Sequence, residues 1–519
     1  MATVEVGNTR ELTSGRQLAR STLWNFGASV ASILIALLSV PILIRHLGAE
    51  RFGVISLVWV VEGQFSLFDL GLSRALTKLV AEKLGISREI DIPAIFWSAL
   101  LMMGAAGVVA GVILRAVSPW LVHSILKVPA NIQPETLISF YLVAFSLPVV
   151  ISSAGLRGYL EAHQRFDLVS SVRVPISILS YLVPLLVLPF SHTLVPVIVV
   201  LVSGRFVAWA IHLVLCFRVS PSLRKEITVK GAPLRYMFSF GGWMTVTNVV
   251  SPIMVNLDRF LIGALISMAA VAYYVTPYEA VTKLWIIPSA LSGVLFPAFA
   301  TALGQDRKRA ALLFDKAVTY IFLSLFPIIV GVLALGRFGL QVWLGAAFAQ
   351  RCTVVLSLLA VGVFFNSLAQ VPFWQIQAAS RPDWAAKVHL VELPFYLLAF
   401  WWLTKRYGIN GAAAAWMLRT AIDTAIMFWL SSRLLHESRP AVGRLVRMSL
   451  AATPVLVAAS LIKTNFIAVP FLAVVYVVFL AITWSQLLTP QERELLQNPM
   501  RFLSMRKMAI NPAVETTSI

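Results

Sequence analysis

Ser32-Ile33-Leu34-Ile35-Ala36-Leu37-Leu38-Ser39-Val40-Pro41-Ile42-Leu43-Ile44 gives way to Arg45-His46-Leu47-Gly48-Ala49-Glu50-Arg51, and then to Phe52-Gly53-Val54-Ile55-Ser56-Leu57-Val58-Trp59-Val60-Val61. With their flanks the two apolar runs extend over Thr22–Ile44 and Phe52–Leu72. A bilayer core about 30 Å thick takes about 20 mostly apolar residues of helix. Helices satisfy their own backbone polar groups there. The stretch therefore predicts two spanning helices joined by a short polar turn.

The pattern recurs along all 519 residues. Further candidate spans are Ile92–Val117, Thr136–Gly158, Val172–Phe190, Leu194–Phe217, Phe238–Leu265 and Ala269–Ala300. Then come Ala311–Leu335, Cys352–Trp374, Ala386–Thr404, Asn410–Ser431, Leu445–Ile462 and Phe466–Leu488, which makes about fourteen in all. Composition agrees: the chain is 59% hydrophobic and 13% charged, with a mean hydropathy of +0.84. A soluble domain has about 45–50% apolar and 25% charged residues. These figures exclude a soluble enzyme, a disordered scaffold and a disulfide-rich secreted protein. No gap between spans exceeds about twenty residues, too short for a domain with its own core. The expected fold class is an all-α integral membrane protein whose function lies inside the bundle.

A net charge of +19 would suggest nucleic acid in a soluble chain. Here the cations cluster at span ends. With an even number of spans, 29 of the 42 Lys and Arg residues share a side with the termini and 8 lie opposite. Five remain inside spans: Arg115, Arg205, Arg259, Lys283 and Arg419. The positive-inside rule then puts both termini in the cytoplasm, and no nucleic-acid partner is expected. The first apolar stretch lacks an A-x-A cleavage site and reads as a retained span. Cys216 and Cys352 form no CxxC pair and fall at opposite ends of the predicted bundle, so neither a metal site nor a disulfide is expected. Thr489-Pro490-Gln491-Glu492 has a capping-box pattern that would open an amphipathic helix on the inner leaflet. No Gly-Lys dipeptide, HExxH or G-x-S-x-G occurs, so no nucleotide or other cofactor is expected.

The two halves show similarity. Ile44-Arg45-His46-Leu47-Gly48 followed by Phe52-Gly53-Val54 stands at the turn from the first span to the second. Phe260-Leu261-Ile262-Gly263 followed by Ala272-Tyr273-Tyr274 stands at the turn from the seventh to the eighth. An offset of six spans keeps both halves in the same orientation, a known transporter plan. The chain divides accordingly into a cytoplasmic N-terminal segment (1–21), a first lobe of spans 1–6 (22–217) and a cytoplasmic linker (218–237). A second lobe of spans 7–12 (238–431), spans 13 and 14 (432–488) and the cytoplasmic tail (489–519) follow.

Pro41-Ile42-Leu43-Ile44-Arg45-His46-Leu47-Gly48-Ala49-Glu50-Arg51-Phe52-Gly53 resembles the first hairpin of the polysaccharide-transporter (Wzx-like, O-antigen flippase) family. Asp69-Leu70-Gly71-Leu72-Ser73-Arg74-Ala75 resembles that family's second-span exit. Asn256-Leu257-Asp258-Arg259-Phe260-Leu261-Ile262-Gly263, with Ala272-Tyr273-Tyr274, resembles its seventh-span signature. The family belongs to the multidrug/oligosaccharidyl-lipid/polysaccharide exporter superfamily. The resemblance implies a V-shaped pair of six-helix lobes with two extra C-terminal helices. It implies alternating-access export of undecaprenyl-pyrophosphate-linked oligosaccharide across a bacterial cytoplasmic membrane. It further implies other polysaccharide-assembly membrane proteins as partners. The protein would be a transporter, not an enzyme.

A charge near the bilayer centre is costly and usually faces a cavity or a partner. Arg205, about ten residues into the sixth span and without an acid within four positions, is the leading candidate for a pyrophosphate ligand. Its guanidinium offers a bidentate fork to phosphate oxygens. Lys283 and Arg419 are the other candidate substrate cations. Glu62, Asp258, Glu279 and Asp423 are candidates for ion coupling or gating. The spacing of Glu279 with Lys283, and of Arg419 with Asp423, equally allows each pair to neutralise itself on one helix face. Arg205 could instead pair with Glu62. Two other functions compete: an ion-coupled multidrug exporter of the same superfamily, and a membrane-embedded glycan polymerase or glycosyltransferase. An exporter of cationic drugs needs an acid-dominated cavity. A polymerase would usually need a large outer loop with carboxylates, and Ser118–Glu135 carries only Glu135. Gly107-Val108-Val109-Ala110-Gly111 predicts close helix packing.

Overall fold

In a computed structural model of the protein, residues 15–65, 72–85, 89–229, 256–379, 381–462, 464–487 and 493 are described. All regular elements among them are helical. The predicted tail helix of 489–519 and most of the seventh span lie outside the described residues, as does much of the linker.

Helix α1, Gly15–Phe65, carries the first hairpin and is interrupted at Gly48 (φ +82°, ψ +161°). This backbone region is essentially open to glycine alone. A Cβ there would meet nothing within 4 Å, so the requirement is conformational and not steric. The helices that follow are α2 (Leu72–Gly85), α3 (Ile92–Trp120), α4 (Gln133–Ala162), α5 (Phe166–Val187), α6 (Leu194–Val219) and the short α7 (Ser222–Lys225). Then come α8 (256–265), α9 (Met268–Thr282), α10 (Ile286–Gln305), α11 (Arg307–Leu344) and α12 (Ala346–Ala378). Helix α13 (Pro382–Leu434), broken at Gly408 (φ +60°, ψ −141°), covers two predicted spans as α1 does. Helices α14 (Arg439–Leu461) and α15 (Asn465–Ile482) close the chain.

Eight helical segments among the described residues are long and apolar enough to cross a membrane, and each falls on a predicted span. The predicted span Ala269–Ala300 is not one helix. It divides into α9 and α10 around a 3-10 turn, Lys283–Trp285. Pro288 follows that turn; a proline ring removes one backbone donor and crowds the carbonyl four residues earlier, here that of Leu284.

The chain forms two compact units. The first comprises Met1–Lys283 with Ala386–Arg419, the second Leu284–Ala385 with Thr420–Ile519. In the first, α2 lays Leu72, Ala75, Leu76 and Val80 into a core with Phe96, Met103, Leu156 and Tyr159 of α3 and α4. Its Arg74 and Lys78 stay exposed. The Gly107/Gly111 pair brings α3 onto α4: a Cβ on Gly107 would lie 2.4 Å from Pro148 Cα, and one on Gly111 2.5 Å from Ala144 O. Helix α1 packs on α9. A Cβ on Gly53 would lie 2.1 Å from Met268 O, so the two hairpins that share sequence similarity touch backbone to side-chain-free backbone. Lys127, in the loop after α3, caps the last carbonyls of α8: its backbone N–H donates to Gly263 O (3.0 Å) and its Nζ to Leu265 O (2.7 Å). In the second unit α11 packs on α12 and α14. Tyr476 of α15 donates its hydroxyl to Pro327 O (3.0 Å). Most of the remaining surface of α15 is apolar and exposed, including Phe466, Val469, Val474 and Val477. That is the expected surface of a helix solvated by lipid.

Candidate functional site

Helices α1, α4, α5 and α6 of the first unit line a half-open cavity of about 320 Å³. Three arginines line it: Arg157 of α4, Arg173 of α5 and Arg205 of α6. Trp59, Ser153, Ser177, Ser180, Tyr181 and His212 line it as well, with Val150, Val172, Ile176 and Ala208 between them. The register explains the gathering. Positions 150, 153 and 157 share one face of α4, and 205, 208 and 212 one face of α6. On α5 the face runs through 173, 177 and 180.

Local hydrogen bonds hold the walls. Ser153 Oγ donates to Val149 O (2.8 Å) and Ser180 Oγ to Ile176 O (2.8 Å), which spends each hydroxyl hydrogen on its own helix. Trp209 Nε1 donates to Ser152 Oγ (2.9 Å) and pins α6 to α4. Trp59 meets Tyr181 edge-on, with ring centroids 5.2 Å apart. Among the described residues that line this cavity there are three guanidinium groups and no carboxylate.

A second polar cluster of the first unit is balanced in charge. Asp258 of α8 is 1% exposed; it accepts from Tyr274 Oη at 2.8 Å and from the backbone N–H of Arg259 at 2.8 Å. Arg259 reaches Glu279 of α9 at 3.1 Å and lies over the Tyr278 ring, 4.9 Å from its centroid. Glu279 Oε2 takes Lys283 at 3.2 Å, the spacing of one helix face. On α13, Arg419 stands 3.9 Å from Glu392 and 5.3 Å from the Tyr396 ring centroid. Three acids and three cations therefore meet in this cluster.

The candidates from sequence thus separate. Arg205 lies in the arginine-lined cavity. Lys283, Arg419, Asp258 and Glu279 lie in the balanced cluster. Asp423 is buried in the second unit. The side chain of Glu62 is outside the described residues. Sequence reasoning missed Arg157 and Arg173, which stand at span ends and were counted with the cytoplasmic loop cations. It also set His212 aside as one of seven scattered histidines. The signal available was the shared face: Arg205 and His212 are seven residues apart, two helical turns.

With this geometry in place the comparisons are direct. The sequence profile of the family described as "Polysaccharide biosynthesis protein" matches residues 42–353. The chain belongs to that family. A protein of Shigella flexneri named "Putative O-antigen transporter" is 29% identical over 423 residues, covering 80% of this chain and 98% of its own. Among solved structures, the lipid II flippase MurJ in an inward closed conformation aligns with a TM-score of 0.65 at 14% identity, over 90% of this chain and 99% of its own. An inward-facing multidrug resistance MATE transporter of the MOP superfamily aligns with a TM-score of 0.68 at 11% identity, over 78% of this chain and 96% of its own. These likenesses establish the all-α transporter fold expected from the sequence.

Proposed function

We propose that this family member is a flippase that carries undecaprenyl-pyrophosphate-linked oligosaccharide across the bacterial cytoplasmic membrane. The observation that carries this reading is the cavity with three arginines and no described carboxylate. A cation near the bilayer centre is costly. A pyrophosphate offsets that cost with charge-assisted, bidentate hydrogen bonds. A cationic drug would be repelled by the same residues. The sugars are hydroxylated and the lipid tail is apolar, so the headgroup charge is what must be sheltered in transit.

In this reading Arg205, with Arg157 and Arg173, holds the pyrophosphate. Lys283 and Arg419, candidate substrate cations from the sequence, here join Asp258 and Glu279 as gating or ion-coupling groups, because exchanging partners within a balanced set costs less than creating a bare charge; Glu62 and Asp423 are assigned the same gating or coupling role. The lobes comprise 22–217 and 238–431, with 432–488 outside them, and both termini face the cytoplasm. Other polysaccharide-assembly membrane proteins would deliver and receive the substrate.

The test is made in cells that depend on this chain for surface glycan. Arg205→Ala should insert normally, abolish glycan display and leave lipid-linked precursor accumulated inside. Arg205→Lys should keep part of the activity, since it retains the charge and loses only the fork. Full rescue of Arg205→Ala by adding Glu62→Ala would move Arg205 from substrate binding to internal charge balance. Normal display in Arg205→Ala itself would contradict the reading.

A further inference from the structure

We propose that the three arginines hold the pyrophosphate in turn and not together: Arg157 and Arg173 form a receiving site at the inner end of the cavity, and Arg205 a second site on the order of 14 Å deeper. The inference rests on the pyrophosphate reading of the same cavity, in which the inner end is the cytoplasmic one.

Contacts between α4 and α6 fix their register. Trp209 Nε1 donates to Ser152 Oγ at 2.9 Å, Cys216 Sγ to Leu156 O at 3.5 Å, and Ser220 Oγ stands 3.4 Å from His163 Nε2. The residue numbers rise together along these pairs, so the two helices run in the same direction. The members of each pair are 57 to 60 positions apart. Arg205 is therefore level with residues 145–148 of α4, and the neighbouring Phe206 ring stacks on Phe145 with centroids 5.6 Å apart. Arg157 lies at least nine residues nearer the inner end. At 1.5 Å per residue that is about 14 Å. Side chains lean towards the N-terminus of their own helix. On parallel helices Arg157 and Arg205 lean the same way, so the gap between their backbones persists.

Helix α5 returns in the opposite direction after the short link 163–165. Arg173 stands seven residues along it, and Arg157 five residues before the end of α4, so their depths agree to about 3 Å. Tyr181, fifteen residues along α5, reaches the level of Arg205, with Trp59 against it. A pyrophosphate is two phosphoryl groups sharing one oxygen, shorter than the separation of the two levels, so it occupies one level at a time. Beyond Arg205 the outer ends are tied. Glu135 of α4 accepts from Arg51 Nε of α1 at 2.7 Å and from the backbone N–H of Leu194 of α6 at 2.8 Å. Three of the four lining helices are thus joined past the deeper site, and the headgroup approaches from the inner end.

The experiment measures binding of undecaprenyl pyrophosphate to the full chain in lipid nanodiscs, beside glycan display in cells. For two alternative sites the association constants add; for one shared site the losses multiply. Two cations outnumber one, so the receiving site dominates the sum. Arg205→Gln should therefore bind within about twofold of the unaltered protein and still lose display. The double variant Arg157→Gln with Arg173→Gln should bind about tenfold more weakly or worse, the loss of at least one charge-assisted hydrogen bond. Lysine at both positions should recover part of that loss. A tenfold or greater loss in folded Arg205→Gln would mean one shared site and overturn the inference, leaving the flippase reading intact. Unchanged binding in the Arg157/Arg173 double variant would do the same. Equal binding of undecaprenyl pyrophosphate and undecaprenol by the unaltered protein would overturn the pyrophosphate reading, and this inference with it.

Discussion

At the scale of single residues, charge balance separates two sets of polar groups. Arg205 stood out in the sequence because it lies deep in an apolar run with no acid nearby. Arg157 and Arg173 did not, because a cation at a span end looks like an ordinary positive-inside residue. Only the packing of α4, α5 and α6 brings the three to one cavity. The balanced cluster makes a prediction of its own. Tyr274→Phe removes the hydroxyl that reaches the buried Asp258 carboxylate at 2.8 Å. The loss should lower stability by about 1–3 kcal/mol, the cost of leaving a buried acceptor short of a partner. Thermal unfolding of the detergent-solubilised protein would show it, and an unchanged midpoint would mean that the carboxylate finds another donor.

At the scale of elements, hydrophobic run length predicted most helices, because run length is what the bilayer selects. It did not predict where the polypeptide leaves helical geometry. The turn at Lys283–Trp285 falls inside a run that looked continuous, and its cause, Pro288, is one of many prolines in the spans. The GxxxG prediction did carry to the structure, since Gly107 and Gly111 let α3 meet the α4 backbone. Two glycines of the first hairpin should behave differently for separable reasons. Gly48→Ala meets open space, so its cost is the strained backbone alone, about 1–3 kcal/mol. Gly53→Ala would drive its Cβ into Met268 O and force α1 from α9. Cysteine cross-linking between α1 and α9 should therefore weaken in Gly53→Ala and persist in Gly48→Ala. The reverse pattern would show that the contact does not depend on the missing Cβ.

At the scale of the whole molecule, the fold class was legible because 59% hydrophobic and 13% charged residues admit few alternatives. The family was legible in the two hairpins, and the profile match over residues 42–353 confirms it. The cavity was not legible as a unit, because it needs side chains from four helices at matched depth. The cation asymmetry predicts that reporter fusions after Arg165, Arg309 and Arg439 report cytoplasm, and that fusions after Glu50 and Lys405 report the outside. A reversed signal at any of these would break the even-span topology. The central claim is that the three arginines exist to hold a pyrophosphate. Its most direct test compares binding of undecaprenyl pyrophosphate, undecaprenyl monophosphate and undecaprenol to the intact protein and to a variant with Arg157, Arg173 and Arg205 all changed to Gln. The account predicts that the intact protein prefers pyrophosphate to alcohol by about a hundredfold or more, with monophosphate between, and that the triple variant loses this order. Equal binding of the three lipids by the intact protein, or an unchanged order in the variant, would contradict it.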